Sequence, residues 1–258
     1  MQSEQDPAGA PNGLIVVTGG GRDIGAAVAL LAARHGYGVL INYASDAKAA
    51  KAVARRIETA RGFARAVEAD VGSEAGVMAL FAAADAVGQP LVGLVNNAGV
   101  TGGLSRLDEL DDASLRRVLD VNVAGAFLCA REAVRRMSSR HGGQGGAIVN
   151  VSSRAAEMGG AGEWVHYAAS KGALDTLTIG LAREVAAEGI RVNAVGPGLI
   201  ETTLHAASGD PGRLDRLGPS VPMGRAGSAQ EVAQVVLWLM SPAASYVTGA
   251  VVPVGGGR

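Results

Sequence analysis

Short apolar runs alternate with longer stretches of helical period along almost the whole chain, and this alternation narrows the choice of fold more than any other feature. Leu14–Val17 comes first, ends in a glycine-rich loop and is followed by helical spacing over Ile24–His35. The pattern then repeats. Strands are expected at Gly38–Ile41, Phe63–Val67 and Leu91–Val95, with helices at Asp46–Arg61, Ser73–Val87 and Asp111–Ser139. Ser73 is the expected N-cap of its helix. Further strands fall at Ala147–Val151, Ile190–Val195 and Val251–Val254, and helices at Val165–Ala187 and Ser228–Met240. Strands separated by helices make crossover units, so the chain predicts an α/β fold. Its seven-stranded, mainly parallel sheet is doubly wound, with helices on both faces.

The composition agrees. Hydrophobic residues make up 48% and aromatic residues only 3%, so the core is built from Ala, Val, Leu and Ile, which suit strands buried on both faces. No composition break or internal repeat divides the 258 residues. Residues 14–258 are expected to form one domain behind a polar tail, 1–13. The irregular stretch 201–227, with Pro211, Pro219, Pro222 and five glycines, is too long for an ordinary connection and reads as a substrate lid. A net charge of -1 gives no reason to expect nucleic acid or an anionic membrane as a partner. No window reaches the roughly 18 apolar residues of a membrane span. The start of the chain lacks the basic region of a signal peptide. The single cysteine, Cys129, lies in an apolar run and reads as a buried, inert thiol. A cytoplasmic location is expected.

The loop after the first strand is Thr18-Gly19-Gly20-Gly21-Arg22-Asp23-Ile24-Gly25. Glycines let backbone N–H groups approach a diphosphate, and the N-terminus of the following helix favours an anion there. The second strand ends in Asn42-Tyr43-Ala44-Ser45, without the carboxylate that commonly binds the ribose 2′-hydroxyl of NAD. Asp46 comes slightly later, where helix capping explains it better, and Arg22 could meet a 2′-phosphate. NADP(H) is therefore favoured over NAD(H).

Tyr167 and Lys171 lie four apart on a helix and share a face. A free phenol has a pKa near 10, and a neighbouring ammonium favours the phenolate. The strand Ala147–Val151 ends in Ser152-Ser153, at the end of a parallel strand where open α/β sheets bind ligands. Ser153 could donate to a substrate oxygen. Asn122 interrupts the apolar face of the long helix and must find partners. It either bonds a neighbouring carbonyl or holds a water that connects to Lys171.

These ordered motifs resemble those of the short-chain dehydrogenase/reductases, from about Leu14 to Gly257. To them belong Asp70-Val71, Asn96-Asn97-Ala98-Gly99, Arg191-Val192-Asn193, Pro197-Gly198 and Tyr246-Val247-Thr248-Gly249. Within that family the chain looks most like bacterial NADP-preferring members of the glucose-1-dehydrogenase-like or 3-oxoacyl-carrier-protein-reductase-like kind. The resemblance implies a Rossmann fold and an NADP(H)-dependent oxidoreductase that interconverts a carbonyl and a secondary alcohol. It implies Tyr167 as general acid/base, Lys171 lowering its pKa and bonding the nicotinamide ribose, Ser153 orienting the carbonyl, and Asn122 anchoring a proton-relay water. Cofactor contacts are implied for Gly19, Gly21, Arg22, Asp23, Ile24 and Gly25. They are implied also for Asn42, Tyr43, Ala44 and Ser45, which resemble the segment of members that bind the 2′-phosphate. Asp70 and Val71 would flank the adenine, Asn97, Ala98 and Gly99 the adenosine and ribose, and Pro197, Gly198, Ile200 and Thr202 the carboxamide and diphosphate. No metal is implied. A homotetramer is, through the long helices.

Three departures from the family pattern stand out. Asp23 replaces the usual middle glycine, where its carboxylate must turn away to cap the helix or meet Arg22. Ser153 and Tyr167 stand fourteen positions apart, one more than expected, so the loop between them must bulge. Gly255 replaces an aspartate. The substrate, a small molecule, is not readable. Arg154, Glu157, Met158, Trp164, His166 and His205 are candidates for its pocket. A non-catalytic NADP-binding sensor or scaffold is the alternative on this fold, and the presence of both Tyr167 and Lys171 favours the enzyme.

Overall fold

The computed structural model describes residues 13–204 and 210–258. Most of the expected tail and His205 lie outside them. Seven strands are present: β1 Leu14–Val17, β2 Gly38–Tyr43, β3 Ala64–Glu68, β4 Leu91–Asn96, β5 Gly146–Val151, β6 Ile190–Pro197 and β7 Val251–Val254. They form one sheet in the order β3-β2-β1-β4-β5-β6-β7, and every pairing is parallel. All four residues of β1 are fully buried, as expected of a central strand covered on both sides.

Alternate residues serve opposite faces. Ile15, Val17, Val39 and Ile41 pack with α1 (Asp23–Arg34), α2 (Ala47–Thr59) and α9 (Ala229–Met240). Leu14, Val16, Leu40 and Leu94 pack with α3 (Glu74–Asp85), α5 (Gly125–Met137) and the end of α7 (Val165–Val185). Polar caps fix where the helices begin. Asp46 accepts from Ala49 N at α2, Ser73 from Gly76 N at α3, and Ser228 with Glu231 forms a capping box at α9.

The expected helix Asp111–Ser139 is two helices. Between α4 (Asp112–Leu119) and α5 runs one π turn, Asp120–Ala124. Such turns widen a helix by one residue and recur at functional positions. Here Gly125 presses against the Val71 carbonyl, where a Cβ would lie 2.5 Å from the oxygen. The Asn122 amide at the same turn bonds both backbone groups of Val100. Periodicity alone does not reveal such an insertion. The stretch 201–227 also holds regular structure, the short α8 (Arg213–Leu217).

The strand order reverses between β1 and β4, and at that switch point a crevice opens at the carboxyl ends of the strands.

Candidate active site

A cavity of about 530 Å³ occupies that crevice. The glycine loop forms one end. Gly25 is obligatory, because a Cβ there would stand 2.3 Å from the Gly19 carbonyl oxygen. Gly19 itself has φ +60°. Thr18 Oγ1 accepts from the backbone N–H groups of Asn97 and Ala98, each at 3.0 Å. Asn97 Nδ2 donates to the carbonyls of Thr18 and Gly19 at 2.9 and 3.0 Å. The ends of β1 and β4 are thereby sewn together. Arg22 is the N-cap residue of α1 but makes no side-chain capping bond. The first N–H groups of α1 therefore remain free of side-chain caps, as an anion site requires.

Gly19, Arg22, Asp23, Ile24 and Gly25 all line the cavity, as do Asn97, Ala98 and Gly99. Pro197, Gly198, Ile200 and Thr202 line it from the segment that leaves β6. Gly21, Asn42, Tyr43, Ala44, Ser45, Asp70 and Val71 lie outside its wall. Asn42 is buried behind the loop, where Oδ1 accepts from Gly19 N and Nδ2 donates to Ala69 O at 2.8 Å. Tyr43 donates its hydroxyl to Glu68 at 3.4 Å. Ala44 and Ser45 are exposed just past β2. Asp70 pairs with Arg117 at 2.8 Å, and that guanidinium holds its carboxyl below the usual range.

The other end of the cavity belongs to Ser152, Ser153, Tyr167 and Lys171. Ser153 follows β5. Its Oγ accepts from Ala155 N at 3.1 Å, the start of the short α6 (Ala155–Met158). The fourteen-residue spacing to Tyr167 is taken up by α6 and by Gly159, Gly160 and Gly162, all in the left-handed region. Lys171 is 3% exposed; its Nζ donates to the Val151 carbonyl at 2.7 Å and lies 5.6 Å from the centre of the Tyr167 ring. Burial pushes the Tyr167 phenol above its ordinary pKa, and the hydrogen bond with Ser153 opposes this. Burial likewise lowers Lys171 to about 8, against the pull of the Asp175 carboxylate. Burial therefore outweighs the Ser153 hydrogen bond in setting this phenol. Asn122 is fully buried and does not line the cavity. A Cβ on Gly99 would stand 3.4 Å from both Asn122 Oδ1 and Lys171 Nζ, so the two are neighbours. The Asn122 amide is engaged with Val100 and Ser170.

Arg154, Met158 and Trp164 line the substrate end, whereas Glu157 pairs with Arg154 outside it. His166 packs away from the cavity, with Nε2 2.7 Å from the Thr101 carbonyl. Arg213 is a residue the sequence did not single out. It stacks over Trp164 at 4.4 Å and forms a two-point pair with Glu163 at 2.9 and 2.6 Å. No periodicity marks it, because it comes from the irregular stretch after β6. Asp23 neither caps α1 nor meets Arg22: its carboxylate accepts from Thr203. Gly255 stands where Gly198 approaches, within 2.7 Å of a Cβ placed on Gly198. Cys129 is 1% exposed, and burial pushes its thiol up to about 12.

A glycine cradle at a sheet's switch point, joined to a buried tyrosine–lysine pair, is the layout of a nucleotide-dependent oxidoreductase. Residues 19–258 match a family model described as Enoyl-(Acyl carrier protein) reductase. The chain is 52% identical over 245 residues to the uncharacterized oxidoreductase YgfF of Escherichia coli K12, covering 95% of this chain and 99% of that one. It is 39% identical to 3beta-hydroxysteroid dehydrogenase 1 of Eggerthella lenta, covering 94% and 92% of the two chains. A short-chain dehydrogenase of Burkholderia cenocepacia J2315, solved in complex with NADP, superposes with a TM-score of 0.86 at 33% identity, covering 94% and 96%. The chain belongs to the short-chain dehydrogenase/reductase family. It is an oxidoreductase acting on CH–OH groups of small molecules with a nicotinamide cofactor. No helix among the described residues is long and apolar enough to cross a membrane.

Proposed function

We propose that the protein interconverts a small carbonyl compound and its secondary alcohol with NADP(H), using Tyr167 as general acid/base. One observation carries this reading: Ser153, Tyr167 and Lys171 line the same cavity as the glycine loop. A dinucleotide fits that cavity. The cradle at Gly19 and Gly25 has no room for side chains, and the uncapped start of α1 faces the same space.

When bound, the nicotinamide supplies or accepts the hydride. The chain's own residues do the rest. Ser153 Oγ orients the carbonyl oxygen. The Tyr167 hydroxyl gives that oxygen a proton in reduction and takes it back in oxidation. Lys171, protonated below about pH 8, places a positive charge beside the phenol and stabilises its anion. Asn122 stands beside Lys171 at the π turn, where a water held by the backbone would pass protons outward.

NADP(H) is favoured because β2 ends in Asn42–Ser45 without a carboxylate, and because Arg22, exposed in the cavity wall, forms no ion pair among the described residues. Phe127 lines a groove between α5 and α7, and it and Ile179 of α7 are exposed, which supports a homotetramer built on these helices. The inert Cys129 suits a reducing cytoplasm. The test is a panel of carbonyls and alcohols scored by reduced-cofactor absorbance, with both cofactors. NADPH should give the higher kcat/KM. Cofactor binding without turnover across the panel would make a sensor the better reading.

A further inference from the structure

Asp23 is the residue of the glycine loop that this reading does not use. Its φ is +49°, in the left-handed region that glycine occupies freely and that Asp and Asn tolerate best among side chains. Such a position next to a diphosphate is a poor place for a carboxylate, since like charges repel across a cleft. The ordinary excuse, capping α1, does not apply, because α1 has no side-chain cap.

The carboxylate has another partner, 180 residues away. Asp23 Oδ1 accepts from the Thr203 backbone N–H at 3.1 Å, and Oδ2 accepts from Thr203 Oγ1 at 2.6 Å. Both oxygens are therefore spent on one residue. Thr202 and Leu204, on either side of Thr203, line the cavity, as does Asp23 itself. The two-point contact thus joins the glycine loop to the segment leaving β6 and bridges the rim of the cavity. It also turns the charge toward two donors.

We propose that Asp23 and Thr203 form a clasp over the diphosphate end of the cavity that slows departure of the dinucleotide. The clasp rests on the reading that this cavity takes a nicotinamide dinucleotide. Release requires the glycine loop and the β6 segment to part, so breaking a charge-assisted pair of hydrogen bonds adds to the barrier. The contact is exposed, although Asp23 itself is half-buried, which makes the effect moderate.

The experiment measures NADPH dissociation from the full chain by stopped-flow fluorescence after a chase with excess NADP. Thr203→Val removes the hydroxyl donor but keeps the backbone N–H. It should raise koff roughly three- to tenfold with little change in kon, the worth of one ordinary hydrogen bond, because exposure discounts the charge of the acceptor. Asp23→Asn keeps an acceptor for the backbone N–H and should give a smaller rise. In an Asp23→Gly background, which suits the positive φ, Thr203→Val should change nothing further. The clasp is overturned if Thr203→Val leaves koff unchanged, or if its effect is equally large beside Gly at position 23. Failure of the parent to bind either NADPH or NADH would instead overturn the cofactor reading, and the clasp with it.

Discussion

The two ends of the cavity are built on opposite terms. At the glycine-loop end, Thr18, Asn42 and Asn97 form a closed set of hydrogen bonds that ties β1, β2 and β4 together. At the tyrosine end, a buried lysine is pushed down to about 8 and a buried phenol is pushed up. Beside them, Trp164 Nε1 and Asp175 Oδ1 are buried without a hydrogen-bond partner among the described residues. The first end holds its shape by itself. The second keeps groups that cost stability, which is what reactive positions commonly do. Substitutions at the two ends should therefore move stability in opposite directions, and activity should depend most on the second.

The largest expected effect is on turnover. Tyr167→Phe removes only the proton-carrying oxygen, so kcat/KM should fall by roughly 10² to 10⁴, the usual worth of positioned proton transfer. Dinucleotide binding, measured by fluorescence, should stay near that of the parent. A variant that loses cofactor binding to the same extent would mean the phenol is structural, and the contrast between the ends would break.

Thr18→Val tests the other end. The near-isosteric change strips the acceptor from the Asn97 and Ala98 N–H groups. A fully buried donor left unpaired costs about 1–3 kcal/mol, and these two are half-buried, so a combined loss of about 2–4 kcal/mol is expected. In a chain of this size that lowers the thermal midpoint by roughly 5–15 °C. Turnover per bound cofactor should change little.

Lys171→Met should do the reverse. A folded pKa of about 8 against the ordinary 10.5 means the unfolded chain holds this proton more tightly. The penalty is complete below about pH 8 and is relieved as pH rises toward 10.5. At about 1.36 kcal/mol per pH unit it amounts to about 3 kcal/mol. Losing the bond to Val151 O offsets part of that gain. A net rise of about 1–2 kcal/mol at pH 7 is expected, a few degrees in the melting curve, shrinking above pH 8. Turnover should collapse. In the parent, carbonyl reduction should decline as pH climbs past about 8 and Lys171 loses its charge. A destabilised Lys171→Met at pH 7 would remove the contrast.

The same division governs what could be read from sequence. Every strand was legible, and every long helix except for the break at Asp120–Ala124, because each of these elements buries an apolar stripe whose period shows in the residues. The convergence of Tyr167, Lys171 and Ser153 on one cavity was legible, because spacing on a helix and position at a strand end carry through to the fold. What escaped depends on a bond between distant segments. The bracing of the glycine loop from behind by Asn42 has no local signature. Asp23 pairs with Thr203, and Arg213 with Glu163, each across a separation that no local pattern encodes. The π turn at Asn122 inserts one residue into an otherwise regular helical period, and the period continues on either side.

The smallest expected effect sharpens the contrast most finely. Trp164 is 7% exposed, stands edge-on to Tyr167 at 6.3 Å and lies beneath Arg213. Its N–H has no partner among the described residues. Trp164→Phe keeps the aromatic body and deletes that orphan donor. Relief of an unpaired buried donor is worth about 1–3 kcal/mol. Against it stand the lost ring volume and a weaker stack for Arg213, together of similar size. The two cancel to within about 1 kcal/mol, so the thermal midpoint should move by no more than roughly 2–4 °C in either direction. Trp164→Leu separates the two contributions: it brings the same relief but removes the aromatic face as well, so its shortfall against Trp164→Phe measures the stacking. A loss from Trp164→Phe as large as that expected for Thr18→Val would mean the indole N–H is bonded after all. The tyrosine end would then be as fully satisfied as the glycine loop, leaving Lys171 alone to bear the cost.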